Sequence, residues 1–331
     1  MDLPQNILLS IQKTLHELLE NQKAKHPQTK LFEICEYALN TSGKMLRGLM
    51  VLEAYKLVGG NAEQILYAAA AIESGHLASL IHDDFMDQDH IRRGMRTVWA
   101  EYDQNAAILA GNLFIFEAFY CFSLCAQTIS ADRVIKGLEI LSQTGIDLCF
   151  GQALETQLSG NCSTSTQDYI TMVSYKTGKL FAAALKSGAV LGGANEEEII
   201  ALTEYGENLG IAFQIIDDLL PYIQNNEKKS TFSDIYNSRM TLPILYALSS
   251  TQSELVQILT QTLCDEKNNQ KPAELLQRIT IILHKTNAIN QSKQDVIKYI
   301  SIALQHLMIL PPSTSVDNLK AIAEFLIRRI D

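Results

Sequence analysis

Apolar residues recur along the chain at helical rather than strand-like intervals. One clear stretch occupies positions 31, 34, 35, 38 and 39, and a longer one runs from Ile199 to Ile216. Residues three and four apart lie on one face of an α-helix, whereas a half-buried strand alternates at every second position. No convincing alternating run is present, and no proline occurs between Pro27 and Pro221. Because proline interrupts helix interiors, this span favours long helices.

Short polar, proline or glycine segments separate the predicted helices. They are Gly59-Gly60, residues 161–167, Gly192-Gly193, residues 225–230 and Pro311-Pro312. In the second of these, Ser163-Thr164-Ser165 before Asp168 is typical of a helix start. No linker or low-complexity tract divides the 331 residues, of which 47% are hydrophobic. We therefore predict one all-α domain, residues 1–331, with a packed helical core.

Charge and composition narrow the function. The formal net charge is −10 and there is no long basic run, which argues against general nucleic-acid binding but not against small anionic ligands. Six scattered cysteines without a C-x-x-C pair are interpreted as reduced thiols of a cytoplasmic protein. The first residues do not resemble a signal peptide. The most membrane-like segment, residues 106–126, contains Asn112 and Glu117, so a buried core helix is expected there rather than a membrane span.

An acidic cluster ends one apolar helical stretch. Asp83 and Asp87 are four residues apart, which puts both carboxylates on one helix face, about one turn apart. Two like charges held so close repel each other, and a divalent cation can offset that repulsion. Mg2+ prefers oxygen ligands, commonly one or two carboxylates with phosphate oxygens and water. Since Arg92 and Arg93 follow and are suited to phosphate, the segment predicts a diphosphate site.

A second acidic pair, Asp217-Asp218, follows another apolar helical run and precedes Pro221. On a facing helix, Asp217 could bind the same metal, but the pair could equally be an ordinary helix terminus before the proline. Other polar groups are weak signals one by one. Lys44 and Arg47 could form a solvated helix start, and His76, two turns before Asp83, could be a core group. The remaining ones are Lys176-Thr177-Gly178-Lys179 and the pair Lys229 and Arg239 around Ser233-Asp234.

The order of these groups is specific where each alone is not. It runs Gly-Lys-x-x-Arg, His, Asp-Asp-x-x-Asp, Arg-Arg-Gly, Gly-Gln, Lys-Thr-Gly, Phe-Gln-x-x-Asp-Asp, Lys-x-x-x-Ser-Asp and Arg-x-Thr-x-Pro. From about Gly43 to Pro243 the chain resembles the trans-isoprenyl diphosphate synthases, also called polyprenyl synthetases. The resemblance implies an isoprenoid-synthase-type bundle of long helices around a central cavity, usually dimeric. It also implies condensation of isopentenyl diphosphate with an allylic diphosphate.

The resemblance implies a role for each matching residue. Asp83, Asp87 and Asp217 would bind Mg2+, with three ions in all, and Asp84 and Asp218 would be supporting carboxylates. The allylic diphosphate would contact Arg92, Lys176, Lys229 and Arg239, the last where the family usually has lysine. Isopentenyl diphosphate would contact Lys44, Arg47, His76 and Arg93. Thr177 and Gln214 would lie with Lys176 near the reacting centre, and Gln152 matches a further polar position.

Three departures from the family pattern are visible. Pro221 replaces the last aspartate of the second motif, and Phe232 stands where glycine is usual before Ser233. Met45 interrupts the usual run of basic residues between Lys44 and Arg47, although both flanking charges are kept. Because the first aspartate of the second motif usually makes the metal contact, we expect activity to survive.

Product length should depend on the residues before Asp83. Gly75, Ala78 and Ser79 are all small. Short-chain members often have aromatics near the positions of Ala78 and Ser79, so a product of twenty carbons or more is favoured here, geranylgeranyl diphosphate or longer. Against this, aromatic residues at 114, 116, 119 and 120 could form a floor, or could simply belong to the core. The alternatives are a farnesyl diphosphate synthase, a related prenyltransferase or terpene synthase on the same fold, and a non-catalytic subunit of a hetero-oligomeric synthase.

Overall fold

The computed structural model describes residues 5–41, 43–223, 233–265 and 272–330. These residues are overwhelmingly helical, as predicted. The helices are α1 (Gln5–Lys25), α2 (Leu31–Asn40), α3 (Leu46–Leu57), α4 (Leu66–Met86), α5 (Val98–Glu101), α6 (Gln104–Ser123), α7 (Ala131–Leu158), α8 (Thr166–Val173), α9 (Lys179–Gly192), α10 (Glu196–Ile223), α11 (Ser233–Tyr236), α12 (Leu242–Leu248), α13 (Ser253–Asp265), α14 (Pro272–Lys285), α15 (Ala288–Leu307) and α16 (Thr314–Ile327). A π-helical turn, Ser174–Gly178, joins α8 to α9, and 3-10 turns span Ala62–Ile65 and Leu124–Gln127.

Two of the predicted helix signals are confirmed, and one helix end lies further along the chain than expected. Helix α2 buries Phe32, Cys35, Ala38 and Leu39, close to the periodic positions in the sequence. Helix α8 begins just after Ser165, whose side chain accepts from the backbone of Asp168 while the Asp168 side chain accepts from the backbone of Ser165. Helix α10 does not end before Pro221. It continues to Ile223, with the proline in its last turn.

One short hairpin was not predicted. Strand β1 (Ile91–Arg92) pairs antiparallel with β2 (Met95–Arg96), with Ile91 opposite Arg96. The turn residues Arg93 and Gly94 both have positive φ, at 52° and 84°. This is the backbone that a two-residue hairpin turn requires. The hairpin begins shortly after α4 and therefore places Arg92 and Arg93 close to the end of that helix.

The chain divides into two compact units. Unit 1 comprises Met1–Ile146, Leu180–Gly206 and His306–Ala321, and unit 2 comprises Asp147–Lys179, Glu207–Gln305 and Ile322–Asp331. Each boundary falls inside a helix, namely α7, α9, α10, α15 or α16. The first acidic motif belongs to unit 1 and the second to unit 2. The prediction of a single domain stays a prediction.

In unit 1, α4 packs closely on α6. Residues 68–72 of α4 are fully buried, and four of them are alanines, which allow close approach. The Ser74 hydroxyl donates to the Phe114 carbonyl at 2.9 Å. Gly111 lies against His82, and a Cβ at Gly111 would be 2.2 Å from His82 Nε2. A larger residue at position 111 would therefore displace the His82 ring.

The other face of α6 is open. The expectation of a buried core helix holds for one face only, since Phe116 is 72% exposed and Tyr120 43% exposed. Phe114 is fully buried and matches the core interpretation. One segment, Gln104–Gln127, is long and apolar enough to cross a membrane by length and composition, although 44% of its apolar window is buried. Core helices of non-membrane proteins often pass the same criterion, so this is weak support for a membrane span.

Candidate active site

A stripe of four residues runs along the end of α4 and includes Asp87, the residue just after the helix. Gly75, Ser79, Asp83 and Asp87 recur every fourth position and all are half-buried. They therefore share one helix face. Ala78, by contrast, is 1% exposed and points into the core. The nearest atom to a Cβ at Gly75 would be Ala118 Cβ, at 4.0 Å, so there is room beside this position.

Asp84, between the two stripe aspartates, has a different partner. Its carboxylate accepts from Arg92 Nε at 2.6 Å. Burial raises the pKa of Asp84 to about 6, although the guanidinium opposes that shift. Asp84 is only 5% exposed, so this carboxylate is already paired with Arg92 on the buried side of the helix.

Arg47 and His76 are brought together. Arg47 Nη1 lies 2.9 Å from His76 Nε2, and its guanidinium stacks 4.3 Å from the ring centroid of Phe181. Burial, followed by the charges of Arg47 and the neighbouring arginines, holds the pKa of His76 well below its usual range. The imidazole is therefore neutral at pH 7. Because arginine can only donate, Nε2 accepts and Nδ1 carries the proton.

Gly43 and Arg93 also meet. A Cβ at Gly43 would lie 2.5 Å from the guanidinium nitrogens of Arg93. Arg93 Nη1 donates to the Thr41 carbonyl at 3.2 Å. The neighbouring Lys44 is exposed. Unit 1 thus gathers Arg93 at the start of the Gly-Lys-x-x-Arg segment and Arg47 at its end.

In unit 2, a chain of hydrogen bonds links α8, the π-helical turn and α10. The Thr177 hydroxyl donates to Gln214 Oε1 at 2.8 Å, and Gln214 Nε2 donates to Asp218 Oδ1 at 2.9 Å. The Tyr169 hydroxyl donates to the other Asp218 oxygen at 2.6 Å. Burial raises the pKa of Asp218. This carboxylate is therefore occupied by internal partners, which fits a supporting position.

Lys176 and Arg239 share an acidic neighbour that sequence reasoning missed. Lys176 Nζ lies 2.5 Å from Glu155 Oε2, and Arg239 Nη2 lies 3.5 Å from the same atom. Arg239 also pairs with Asp234 at 2.6 Å. The available signal was the position of Glu155, three residues after Gln152 on α7. Gln152 donates to it at 3.3 Å.

Because Gly151 has no side chain, the backbone of the π-helical turn can lie close against α7. A Cβ at this position would be 2.4 Å from the backbone nitrogen of Lys176. Lys176 and the groups around it border a small cleft within unit 2. The lining residues include Glu155, Tyr169, Lys176, Thr177, Gln214, Asp218, Asp234 and Arg239.

Asp217 has a partner near the C-terminal end of the described chain. Arg329 Nη2 lies 2.8 Å from Asp217 Oδ1. Its guanidinium carbon is 5.4 Å from the centroid of the Phe213 ring, one turn earlier on α10. Sequence reasoning missed this pair, because 112 residues separate the two side chains. Lys229 and Phe232 lie outside the described residues.

No three histidine, cysteine, aspartate or glutamate groups converge closely enough to hold a metal ion by themselves, as far as the described ranges extend. The donor set nevertheless fits Mg2+. Each motif supplies hard carboxylate oxygens, and Mg2+ commonly completes its octahedron with water and substrate phosphates.

Comparison with known proteins decides the family. The family model for polyprenyl synthetase matches residues 28–280, most of the chain. This chain belongs to the polyprenyl synthetase family. It is 33% identical to a geranylgeranyl diphosphate synthase of Sulfolobus acidocaldarius, over 91% of each protein.

Solved structures of other polyprenyl synthetases share the fold. A geranylgeranyl pyrophosphate synthetase from Pyrococcus horikoshii has a TM-score of 0.84 at 30% identity and covers 98% of both chains. A polyprenyl synthase from Caulobacter crescentus, solved in complex with calcium and isoprenyl diphosphate, has a TM-score of 0.86 at 25% identity, over 98% of this chain and 97% of that one. The protein is therefore a prenyltransferase with the all-α isoprenoid synthase fold, as its motifs predicted.

Proposed function

We propose that this polyprenyl synthetase joins isopentenyl diphosphate head-to-tail to an allylic diphosphate and makes geranylgeranyl diphosphate or a longer chain. The supporting observation is the arrangement on α4 in unit 1. The same helix bears the half-buried Asp83 and Asp87 and, two turns earlier, His76 bound to Arg47. A terpene cyclase or a prenyltransferase for another acceptor would have less use for this second set of groups.

Asp83, Asp87 and Asp217 are the proposed Mg2+ ligands. Their oxygen donors suit a hard cation, and the Caulobacter relative was solved with calcium and isoprenyl diphosphate. Mg2+ bound there would supply positive charge for the leaving diphosphate. The number of ions, three in the sequence prediction, belongs to this proposal.

The cationic side chains divide between two diphosphates. In the proposal, Arg47 and Arg93 of unit 1 bind isopentenyl diphosphate together with the exposed Lys44. Neutral His76 fixes the guanidinium of Arg47 through Nε2. Arg92, Lys176 and Arg239, with Lys229 outside the described residues, bind the allylic diphosphate. Glu155 and Asp234 orient two of these cations in advance, which lowers the cost of ordering them on binding.

The reaction breaks the allylic carbon–oxygen bond, forms one carbon–carbon bond and releases diphosphate and a proton. The double bond of isopentenyl diphosphate attacks the developing allylic cation, so the protein needs to supply nearby negative dipoles rather than a nucleophile. Gln214 can supply one, because its amide group donates to Asp218 and its oxygen accepts only from Thr177 within the described structure. We propose that this fixed oxygen faces the reacting carbon.

The stripe on α4 supports a long product. Gly75 and Ser79 lie on the same face as Asp83, and neither fills the space beside it with a bulky side chain. A prenyl tail leaving the diphosphate site along this face would meet no aromatic side chain at positions 75 and 79. The relative from Sulfolobus acidocaldarius is a geranylgeranyl diphosphate synthase, which supports the same product class.

A homodimer is the proposed assembly. Ile108, Leu109, Ile115, Phe116 and Tyr120 form an exposed apolar face on α6, which we call the α6 outer face. Contiguous apolar surface of this kind is typical of protein interfaces. The cytoplasmic location expected from the sequence also remains part of the proposal.

The activity can be tested with the purified chain alone. It would be incubated with Mg2+, radiolabelled isopentenyl diphosphate and, separately, dimethylallyl, geranyl or farnesyl diphosphate. The hydrolysed products would then be sized by chromatography. We expect alcohols of twenty carbons or more. A fifteen-carbon end product would support the farnesyl alternative, and no product with any primer would support the non-catalytic subunit.

A further inference from the structure

The second acidic motif contains two neighbouring aspartates with different surroundings. Asp218 is buried and accepts hydrogen bonds from Tyr169 and Gln214. Asp217 is the more accessible of the two, with 38% of its side chain exposed, and it pairs with Arg329 at 2.8 Å. The carboxylate available to a soluble cation is therefore the one that an arginine already contacts.

Arg329 is held in this position by its own segment. Its backbone nitrogen donates to the Leu326 carbonyl at 3.1 Å, and the next residue, Ile330, is only 3% exposed. Lys293 of α15 donates to the Ile330 carbonyl. The Arg329 guanidinium also lies over the Phe213 ring. The ion pair is thus part of a packed arrangement, with its arginine only 26% exposed.

A guanidinium and a metal ion compete for the same carboxylate oxygens. Arginine is charged at any physiological pH, so its competition does not depend on protonation. A guanidinium is also well suited to bind diphosphate oxygens, which carry the charge and the paired acceptor geometry that it prefers. One side chain can therefore oppose the metal when no substrate is present and assist the diphosphate when both are present.

We propose that Arg329 occupies Asp217 in the substrate-free enzyme and, on displacement by Mg2+, turns to the diphosphate. This inference rests on the proposed function, because it takes Asp217 as a metal ligand. It makes Arg329 a diphosphate-binding residue that couples the two ligands: Mg2+ alone binds weakly at Asp217, and Mg2+ with diphosphate binds cooperatively.

Two variants test the coupling. Arg329→Gln removes the guanidinium, and Arg328→Gln is the matched control, because Arg328 is an exposed arginine at the adjacent position. Binding of Mn2+, a paramagnetic stand-in for Mg2+, would be titrated by electron paramagnetic resonance with and without inorganic diphosphate. Circular dichroism and thermal melting would verify that both variants fold.

The expected results have opposite signs. Without diphosphate, Arg329→Gln should bind Mn2+ roughly two- to fivefold more tightly than wild type, as expected for loss of a partly exposed ion pair. The enhancement of Mn2+ affinity by diphosphate should fall in Arg329→Gln and stay unchanged in Arg328→Gln. Equal or weaker Mn2+ binding by Arg329→Gln, or equal changes in both variants, would overturn the inference.

The test separates this inference from the proposed function. A wild-type enzyme that makes prenyl products, with an Arg329→Gln variant of unchanged Mn2+ affinity, would refute only the coupling. A wild-type chain that binds no Mn2+ and forms no product would refute both. A variant that had merely lost a structural contact would bind the ion no more tightly than wild type.

Discussion

At the residue scale, Glu117 is the most anomalous side chain of unit 1. It is 6% exposed, and neither carboxylate oxygen has a hydrogen-bond partner within the described structure. Burial raises its pKa to about 7, from an ordinary value of 4.5. A carboxylate without partners in such a site costs free energy whenever it is ionised.

This predicts a pH-dependent stability deficit. The folded state holds the Glu117 proton more tightly than the unfolded state does. The contribution of this proton to the free energy of unfolding is therefore full below pH 4.5, declines as the pH rises and is lost above about pH 7. Glu117→Gln removes the ionisation. Between pH 5 and pH 8, wild type should lose up to about 3 kcal/mol relative to the variant in urea unfolding. Parallel pH profiles for the two proteins would contradict this account of Glu117.

Gly43 tests the arginine pocket at the same scale. Gly43→Ala would put a methyl group against the Arg93 guanidinium, which is the flexible end of a side chain and can move away. The fold should survive, but Arg93 would leave its position. The KM for isopentenyl diphosphate should rise roughly tenfold, the cost of one charge-assisted hydrogen bond, with a smaller effect on kcat. Gly145→Ala is the control, because a Cβ there would meet nothing within 4 Å. A KM equal to that of wild type would show that Arg93 does not bind this substrate.

At the element scale, the α4 stripe decides which substitution controls product length. Ser79 shares the face of Asp83, whereas Ala78 is buried in the core, so Ala78→Phe would overpack the helix interface. Ser79→Phe alone should therefore shorten the product, which product sizing after exhaustive elongation would reveal. If a folded Ser79→Phe enzyme still made the full-length product, the prenyl tail would not run along this face of α4.

The helices were largely readable from the sequence, because helix periodicity and capping are local. Cys35 and Ala38 mark the buried face of α2, and the Ser165 and Asp168 pair marks the start of α8. Arg93-Gly94 was also a local turn signal, but a hairpin of two-residue strands is too short to show alternation. The order of motifs likewise identified the family, since each motif is contiguous.

The partners of the site residues were not readable. Glu155 beside Lys176, and Arg329 beside Asp217, are contacts between distant parts of the chain. Spacing predicts which residues share a helix face, not which helix that face meets. The open face of α6 was missed for the same reason. A helix that is apolar on all sides has the same sequence pattern whether its outer face packs against its own chain or against another one.

At the scale of the whole molecule, the α6 outer face predicts the assembly. Phe116→Glu places a charge at its centre and should shift the protein from dimer to monomer, as measured by size-exclusion chromatography with light scattering. Met308→Glu is the control, since Met308 is also apolar, is 79% exposed and lies outside α6, just after the last residue of α15. A wild-type monomer, or a Phe116→Glu dimer of wild-type stability, would remove α6 from the interface.

The central claim is that the carboxylates of the first motif bring Mg2+ to a prenyl diphosphate. Its most direct test compares the rate of product formation by wild type, Asp83→Asn and Asp132→Asn at saturating substrates over a range of Mg2+ concentrations. Asp132, in the first turn of α7, is an exposed aspartate outside both motifs. We expect Asp83→Asn to lower the rate by about a hundredfold or more, with partial recovery at high Mg2+, and Asp132→Asn to match wild type. A folded Asp83→Asn enzyme within a few-fold of the wild-type rate at every Mg2+ concentration would contradict the account.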